Sequence, residues 1–280
     1  MIAGPRLRGK GIWLLLPALV FLAIFFAYPM IDIVLRSVAE PAGVSLAQYR
    51  QIVTHVIYLR IFAITFEIAF TVTVLTLILG YPVAYILVGA RRRVANAVLA
   101  CILLSLFTNI LVRTYAWMII LGPDGVLDQL LHFAGVGPAN LLFNRYGVLI
   151  GMTYALLPYM VLTLYSVMRG IDRGLLRAAR NLGASGGRAF RHVFLPLSLP
   201  GVVGGSLLVF VLAVGYFITP RLLGGARDQM IAMVIEQQVE LGMNWSFASA
   251  LAILLLILTA LGFVLYDRAV GLKSLFESRA

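Results

Sequence analysis

The chain has 280 residues, 62% hydrophobic and 12% charged, with a mean hydropathy of +1.00, a composition too apolar for a soluble domain of this length. Its net charge of +11 would suit nucleic acid if the bases lay along a polar face studded with aromatics, but the arginines flank apolar runs instead. A soluble enzyme and a nucleic-acid module are excluded, and a polytopic all-α membrane protein is left.

A bilayer core of about 30 Å takes roughly 20 apolar residues per helix. Six stretches meet that length, at approximately 11–35, 61–88, 96–121, 147–168, 199–222 and 246–267. Ahead of the first, Gly4 to Gly11 has G-x-x-x-x-G-K spacing. It lacks the Ser or Thr that holds magnesium, contains Pro5 and follows no strand, so it is read as chance. The first stretch ends near Ser37 to Ala39, which imitates a leader cleavage site, but its apolar run is longer than a leader's and an uncleaved helix is expected. The second stretch carries Glu67 and the third carries Arg113. Ionisable groups at such depth face water or a partner, so either the two pair to fix helix packing or they line a solute pathway. Cys101, the single cysteine, allows no intrachain disulfide and is read as a small packing residue. Tyr154 and Tyr159 in the fourth stretch flank Pro158, where a freed carbonyl can line a cavity.

With six spans both termini face one side. Fifteen of the 22 Lys and Arg residues lie there: three before the first span, Arg91 to Arg93 after the second, six between 169 and 191, and three after residue 267. The positive-inside rule then makes both termini and the 169–198 loop cytoplasmic. The outer loops, roughly 36–60, 122–146 and 223–245, are short and rich in turn residues, which suits turns and short interfacial helices. No repeat or linker divides the chain, so residues 1–280 are expected to be a single transmembrane domain. His55, His132 and His192 fall on different loops and cannot share a metal, and no serine has a His and acid beside it in sequence.

The cytoplasmic loop is the informative segment. Asp172 can cap a short helix with apolar Leu175, Leu176, Ala179 and Leu182 on neighbouring turns and Arg173, Arg177 and Arg180 over the rest. Gly183 allows a left-handed stop, and Gly186 with Gly187 gives a second corner. Phe190, Val193 and Phe194 form the apolar stripe of a second short helix before Pro196 and Pro200 redirect the chain into the fifth span. A hairpin at about 172–194 is therefore expected. By itself it is a basic loop on anionic headgroups.

The spacing of Ala178, Ala179, Gly183, Leu195 and Pro196 resembles the "EAA" loop of ABC importer permeases. Residues 106–131, 215–225 and 230–251 look like the polyamine-type permeases of that superfamily. The resemblance implies six transmembrane helices of the importer type in a bacterial inner membrane. It implies a second permease in a heterodimer, two ATPase subunits carrying ATP and magnesium, and an external solute-binding protein. The chain itself would hold no cofactor or metal and no catalytic residue. Arg177, Ala178, Ala179, Gly183, Phe190, Leu195 and Pro196 would couple it to the ATPase, although Arg177 stands where the pattern has Glu. A polyamine would use carboxylates and aromatic faces, for which the candidates are Glu67, Tyr115, Trp117, Asp124, Tyr154, Tyr159, Tyr216 and Glu236. Phosphonate, ferric iron or another small organic solute is the alternative cargo. An ion-coupled secondary transporter would need repeats or broken midplane helices, and a channel would need a filter sequence.

Overall fold

The structure is a computed structural model that describes residues 10–40, 43–133, 135 and 141–270. Residues 4–9 of the phosphate-loop-like stretch, and with them Arg6 and Arg8, lie outside the described residues, as do Lys273 and Arg279. In chain order the helices are α1 (Lys10–Leu22), α2 (Tyr28–Val38), α3 (Ala47–Thr54), α4 (Val56–Gly89), α5 (Arg92–Phe107), α6 (Ile110–Leu121) and α7 (Val126–Phe133). They continue as α8 (Arg145–Arg169), α9 (Arg173–Asn181), α10 (Gly186–Ala189), α11 (Leu195–Val214), α12 (Ile218–Leu223), α13 (Ile231–Glu240) and α14 (Trp245–Val270). One two-residue ladder, β1 (Ala39–Glu40) with β2 (Gly43–Val44), is the sheet among the described residues. Among the described residues six helices are long and apolar enough to cross a membrane, and the loops predicted to lie outside hold α3, α7 and α13 as short helices.

The chain forms two compact units, 1–56 with 235–256 and 57–234 with 257–280. In the first unit α1 passes through a π-turn at Ala23–Ala27 into α2, with the Tyr28 N–H reaching back five residues to the Ala23 carbonyl. The wider turn gives the ring of Pro29 room against the preceding carbonyls. From residue 15 to residue 36 no side chain is buried within the chain, so this span leaves its apolar surface to lipid or another subunit. The Tyr49 hydroxyl donates to Ser37 Oγ at 2.8 Å, tying α3 to the end of α2.

The second unit is organised on α8. Within a bilayer helices gain little from hydrophobic transfer, so close packing at small residues holds them together. Gly147 and Gly151 receive α12: a Cβ on Gly147 would lie 2.5 Å from the Leu141 carbonyl and 3.0 Å from that of Leu223, and one on Gly151 would lie 2.4 Å from the Leu223 side chain. Gly201 and Gly205 of α11 meet Val167 and Met160 of α8, and Gly80 of α4 meets Met160. The buried hydroxyls of Thr65, Thr73 and Thr76 donate to the carbonyls of Ile61, Ala69 and Val72 and need no water. Thr65 Oγ1 also accepts from the Ile231 N–H at 2.9 Å, which fastens the start of α13 to α4.

Two spans differ from expectation. The predicted 96–121 helix is interrupted at Thr108 and Asn109, both extended, where Asn109 accepts from the Leu111 N–H at 2.8 Å and so starts α6 as an N-cap. The predicted second helix of the hairpin is not separate from the fifth span. Helix runs unbroken from Gly186 to Val214 through a π-turn at Phe190–Phe194, in which the Leu195 N–H reaches the Phe190 carbonyl. Pro196 follows that turn as Pro29 follows the first, so Pro196 and Pro200 do not redirect the chain. The helix ends instead at Gly215, and α12 begins three residues later.

Candidate functional site

The hairpin is built from its caps inward. Asp172 Oδ1 accepts from the Gly174 N–H at 2.7 Å and opens α9. At the other end Gly183 has φ +88°, its N–H donates to the Arg180 carbonyl, and the Ala184 N–H donates to that of Ala179. This is the two-bond stop that a left-handed glycine permits. At 100° per residue the helix separates two faces. Arg173, Leu176, Arg177 and Arg180 share one side, and all four line a groove of about 500 Å³ with Tyr85, Ile86, Val88 and Gly89 at the end of α4. Leu175 (47% exposed), Ala178 and Leu182 (88% exposed) lie on the opposite side as an outward apolar stripe. The expected stripe of Leu175, Leu176, Ala179 and Leu182 is thus divided, because Leu176 turns to the basic side. Ala179 is half-buried.

The hairpin is tied to two spans. An Nη of Arg173 donates to the Val88 carbonyl in the last turn of α4. Phe190 is half-buried rather than outward, with its ring 5.3 Å from that of Tyr85 and 6.2 Å from that of Tyr81, both edge-on. Tyr85 also meets the buried Phe194 at 4.9 Å. The Tyr81 hydroxyl is 2.8 Å from that of Ser198, which donates to the Leu195 carbonyl. Leu195 is half-buried and Pro196 exposed. Edge-on pairs of this kind contribute roughly 0.5 to 1.5 kcal/mol each beyond their buried area.

The pathway candidates do not gather in one cluster. Glu67 is exposed on α4 and pairs with Arg145, the first residue of α8, at 2.7 Å. The expected alternative, a pair with Arg113, is not formed. Arg145 is 78 positions away and stands in a loop by sequence, beside the cap Asn144 that accepts from the Tyr146 and Gly147 N–H groups, so only the fold brings it to Glu67. Arg113 lies on α6 with Nε and Nη1 buried and without a hydrogen-bond partner. Its charge acts on the phenol of Tyr216, which also neighbours Tyr159 and Thr219. Tyr216 falls in the three-residue break between α11 and α12. Broken spans expose backbone dipoles where solutes cross a membrane, and the sign available in the sequence was Asn109 and Gly215 inside apolar runs.

Trp117 meets Tyr154 edge-on at 5.4 Å, and both line an apolar groove of about 460 Å³ between α4, α6 and α8. Tyr154 and Tyr159 are partly exposed on α8, at 38% and 37%, whereas Pro158 between them is buried. Tyr115 is 54% exposed, Asp124 is an exposed turn residue at φ 59°, and Glu236 is half-buried in the other compact unit. Among the described residues no three of His, Cys, Asp and Glu are grouped to hold a metal.

A family described as "Binding-protein-dependent transport system inner membrane component" matches residues 76–271. The spermidine/putrescine transport system permease protein PotB of Haemophilus influenzae is 38% identical over 199 residues, 70% of each chain. PotB of Escherichia coli K12 is 36% identical over 215 residues, 76% of this chain and 78% of that one. The molybdenum transport system permease protein ModB of Mycobacterium bovis is 29% identical over 250 residues, 89% of this chain and 90% of that one. Among solved structures, a bacterial ABC transporter that imports alginate matches at TM-score 0.69 and 18% identity over 92% of this chain and 96% of that one. The MetNI methionine ABC transporter matches at TM-score 0.57 and 20% identity over 76% and 93%.

Proposed function

The chain belongs to the family of binding-protein-dependent transport system inner membrane components, and from that premise we propose that it conducts a polyamine, spermidine or putrescine, into the cell. It is a multi-pass permease subunit of the inner membrane and not an enzyme, since members of this family move solute while hydrolysis belongs to other subunits. The relatives named for spermidine and putrescine, at 36 to 38% identity over most of both chains, support the solute class. Residues 1–280 act as one permease domain with cytoplasmic termini, beside a second permease in a heterodimer. A binding protein delivers the solute outside, and two ATPase subunits bind ATP and magnesium inside.

The observation that carries the coupling role is the hairpin: a capped helix with Leu175, Ala178 and Leu182 outward, joined by Arg173 to α4 and by Phe190 to the rings of Tyr81 and Tyr85. Closure of the ATPase cleft on that stripe moves Phe190, and with it α4 and the helix that continues to Val214. Arg177, Ala178, Ala179 and Gly183 shape the docking helix, and Leu195 and Pro196 follow the π-turn that joins it to the span. Glu67, Asp124 and Glu236 offer carboxylates to ammonium groups. Tyr115, Trp117, Tyr154, Tyr159 and Tyr216 offer aromatic faces, each worth roughly 0.5 to 2 kcal/mol to a cation.

The test is ATPase activity of the reassembled complex in nanodiscs with each liganded binding protein. Stimulation by the polyamine-loaded protein is expected. Copurification without that response, but with a response to another solute, removes the polyamine and keeps the importer. Turnover that never responds removes both. For Glu67, the expected result of E67Q is uptake lowered roughly tenfold at subsaturating polyamine, the loss of one charge-assisted contact. The thermal midpoint should hardly move, because exposed ion pairs such as that with Arg145 contribute about 0 to 1 kcal/mol. Unchanged uptake with a lowered midpoint would leave the pair a packing role only.

A further inference from the structure

The coupling described above runs through the outward stripe of α9 and the contacts of Arg173 and Phe190, and it leaves the guanidinium groups of Arg177 and Arg180 in the basic groove unassigned. We propose that this groove seats the phosphate of an anionic membrane lipid, with Arg177 and Arg180 as its ligands. The groove is about 500 Å³, and no acidic side chain lines it. Arg173 is engaged with the Val88 carbonyl, and Asp172, the nearest acid in sequence, accepts from the Gly174 N–H. Arg177 and Arg180 form no ion pair among the described residues.

The position selects the occupant. Val88 and Gly89 close the 34-residue α4, so the groove opens where a membrane span ends and headgroup phosphates lie. Tyr85 and Ile86 give it an apolar floor for the glycerol and the first methylenes, and the guanidinium groups form its roof. An acidic protein partner is the competing occupant. The outward stripe of Leu175, Ala178 and Leu182 is on the opposite side of α9, so a partner that covers it approaches from the side away from the arginines.

The full chain is reconstituted in nanodiscs of phosphatidylcholine and phosphatidylglycerol in equal parts, extracted in mild detergent, and its retained lipids counted by native mass spectrometry. Wild type is expected to retain phosphatidylglycerol in preference. R177Q/R180Q should lose that preference by roughly thirty-fold, the effect of two interfacial arginines. R177K/R180K should keep it, as should R188Q/R191Q, which removes the same charge outside the groove. An unchanged preference in R177Q/R180Q overturns the proposal, and so does an equal loss in R188Q/R191Q. Loss of a coexpressed ATPase from R177Q/R180Q with lipid retention intact overturns it in favour of an acidic protein partner. Retention is read on the permease alone, so its failure and that of the transport reading are separate results.

Discussion

Leu182→Asp is expected to abolish copurification of the ATPase and to lower uptake by about two to three orders of magnitude, while the thermal midpoint of the permease stays where it was. The side chain is 88% exposed at the end of α9, beyond which Gly183 turns the chain, so the fold gains nothing from it. In the coupling reading that exposure is temporary, because an apolar cleft closes over Leu175, Ala178 and Leu182. A carboxylate there is buried without a partner, which costs roughly 3 to 5 kcal/mol, a factor of about 10² to 4 × 10³ in affinity. Pull-down of the coexpressed ATPase and uptake into proteoliposomes read the two effects separately. If the L182D permease still brings down the ATPase and transports, docking uses another face of the hairpin.

Gly147→Ala should be strongly destabilising to the second compact unit. Its Cβ would stand 2.5 Å from the Leu141 carbonyl oxygen and 3.0 Å from that of Leu223. Both obstacles are backbone, which cannot swing aside as a side-chain tip can, so α8 must move away from the chain on both sides. Overpacking of this kind costs typically 1 to 3 kcal/mol and occasionally more. The value expected here is about 3 kcal/mol or above, because the atoms that must yield also position α12. Gly204→Ala is the control on the neighbouring span, where the nearest atom to a new Cβ is Thr163 Cγ2 at 4.0 Å. In a helix interior that change should be neutral or stabilising by a few tenths of a kcal/mol. Fluorescence-detected gel filtration after stepwise heating checks both, and equal midpoints for the two variants would disprove the close approach at Gly147.

Length and hydropathy were enough to place six spans, because backbone buried in lipid must be helical and each helix needs a fixed length. They were not enough to find the breaks. Asn109 inside the third apolar run reads as a tolerated polar residue until its side chain is seen capping α6. Pro196 reads as a breaker, yet a π-turn just before it carries the helix through. Asp172 and Gly183 were legible as caps because capping is a local, side-chain-to-backbone matter. The partner of Glu67 was not, since pairing with Arg145 depends on how α4 and α8 lie together. The same limit applied to Arg177. Its charge is plain in the sequence, but which way it turns is fixed by the attachment of α9 to the end of α4.

The unbroken helix from Gly186 to Val214 has a mechanical meaning. Its 29 residues make a lever roughly 43 Å long at 1.5 Å per residue. Continuous helix joins the arm that carries Phe190 to the arm that ends beside Tyr216. In a lever of that length pivoting near its middle, about 2 Å of travel at one tip is roughly a 5° tilt, and the other tip swings the same distance the opposite way. The fulcrum is the seam where Gly201 and Gly205 rest on α8, so two glycines of the helix are also where its rotation is borne.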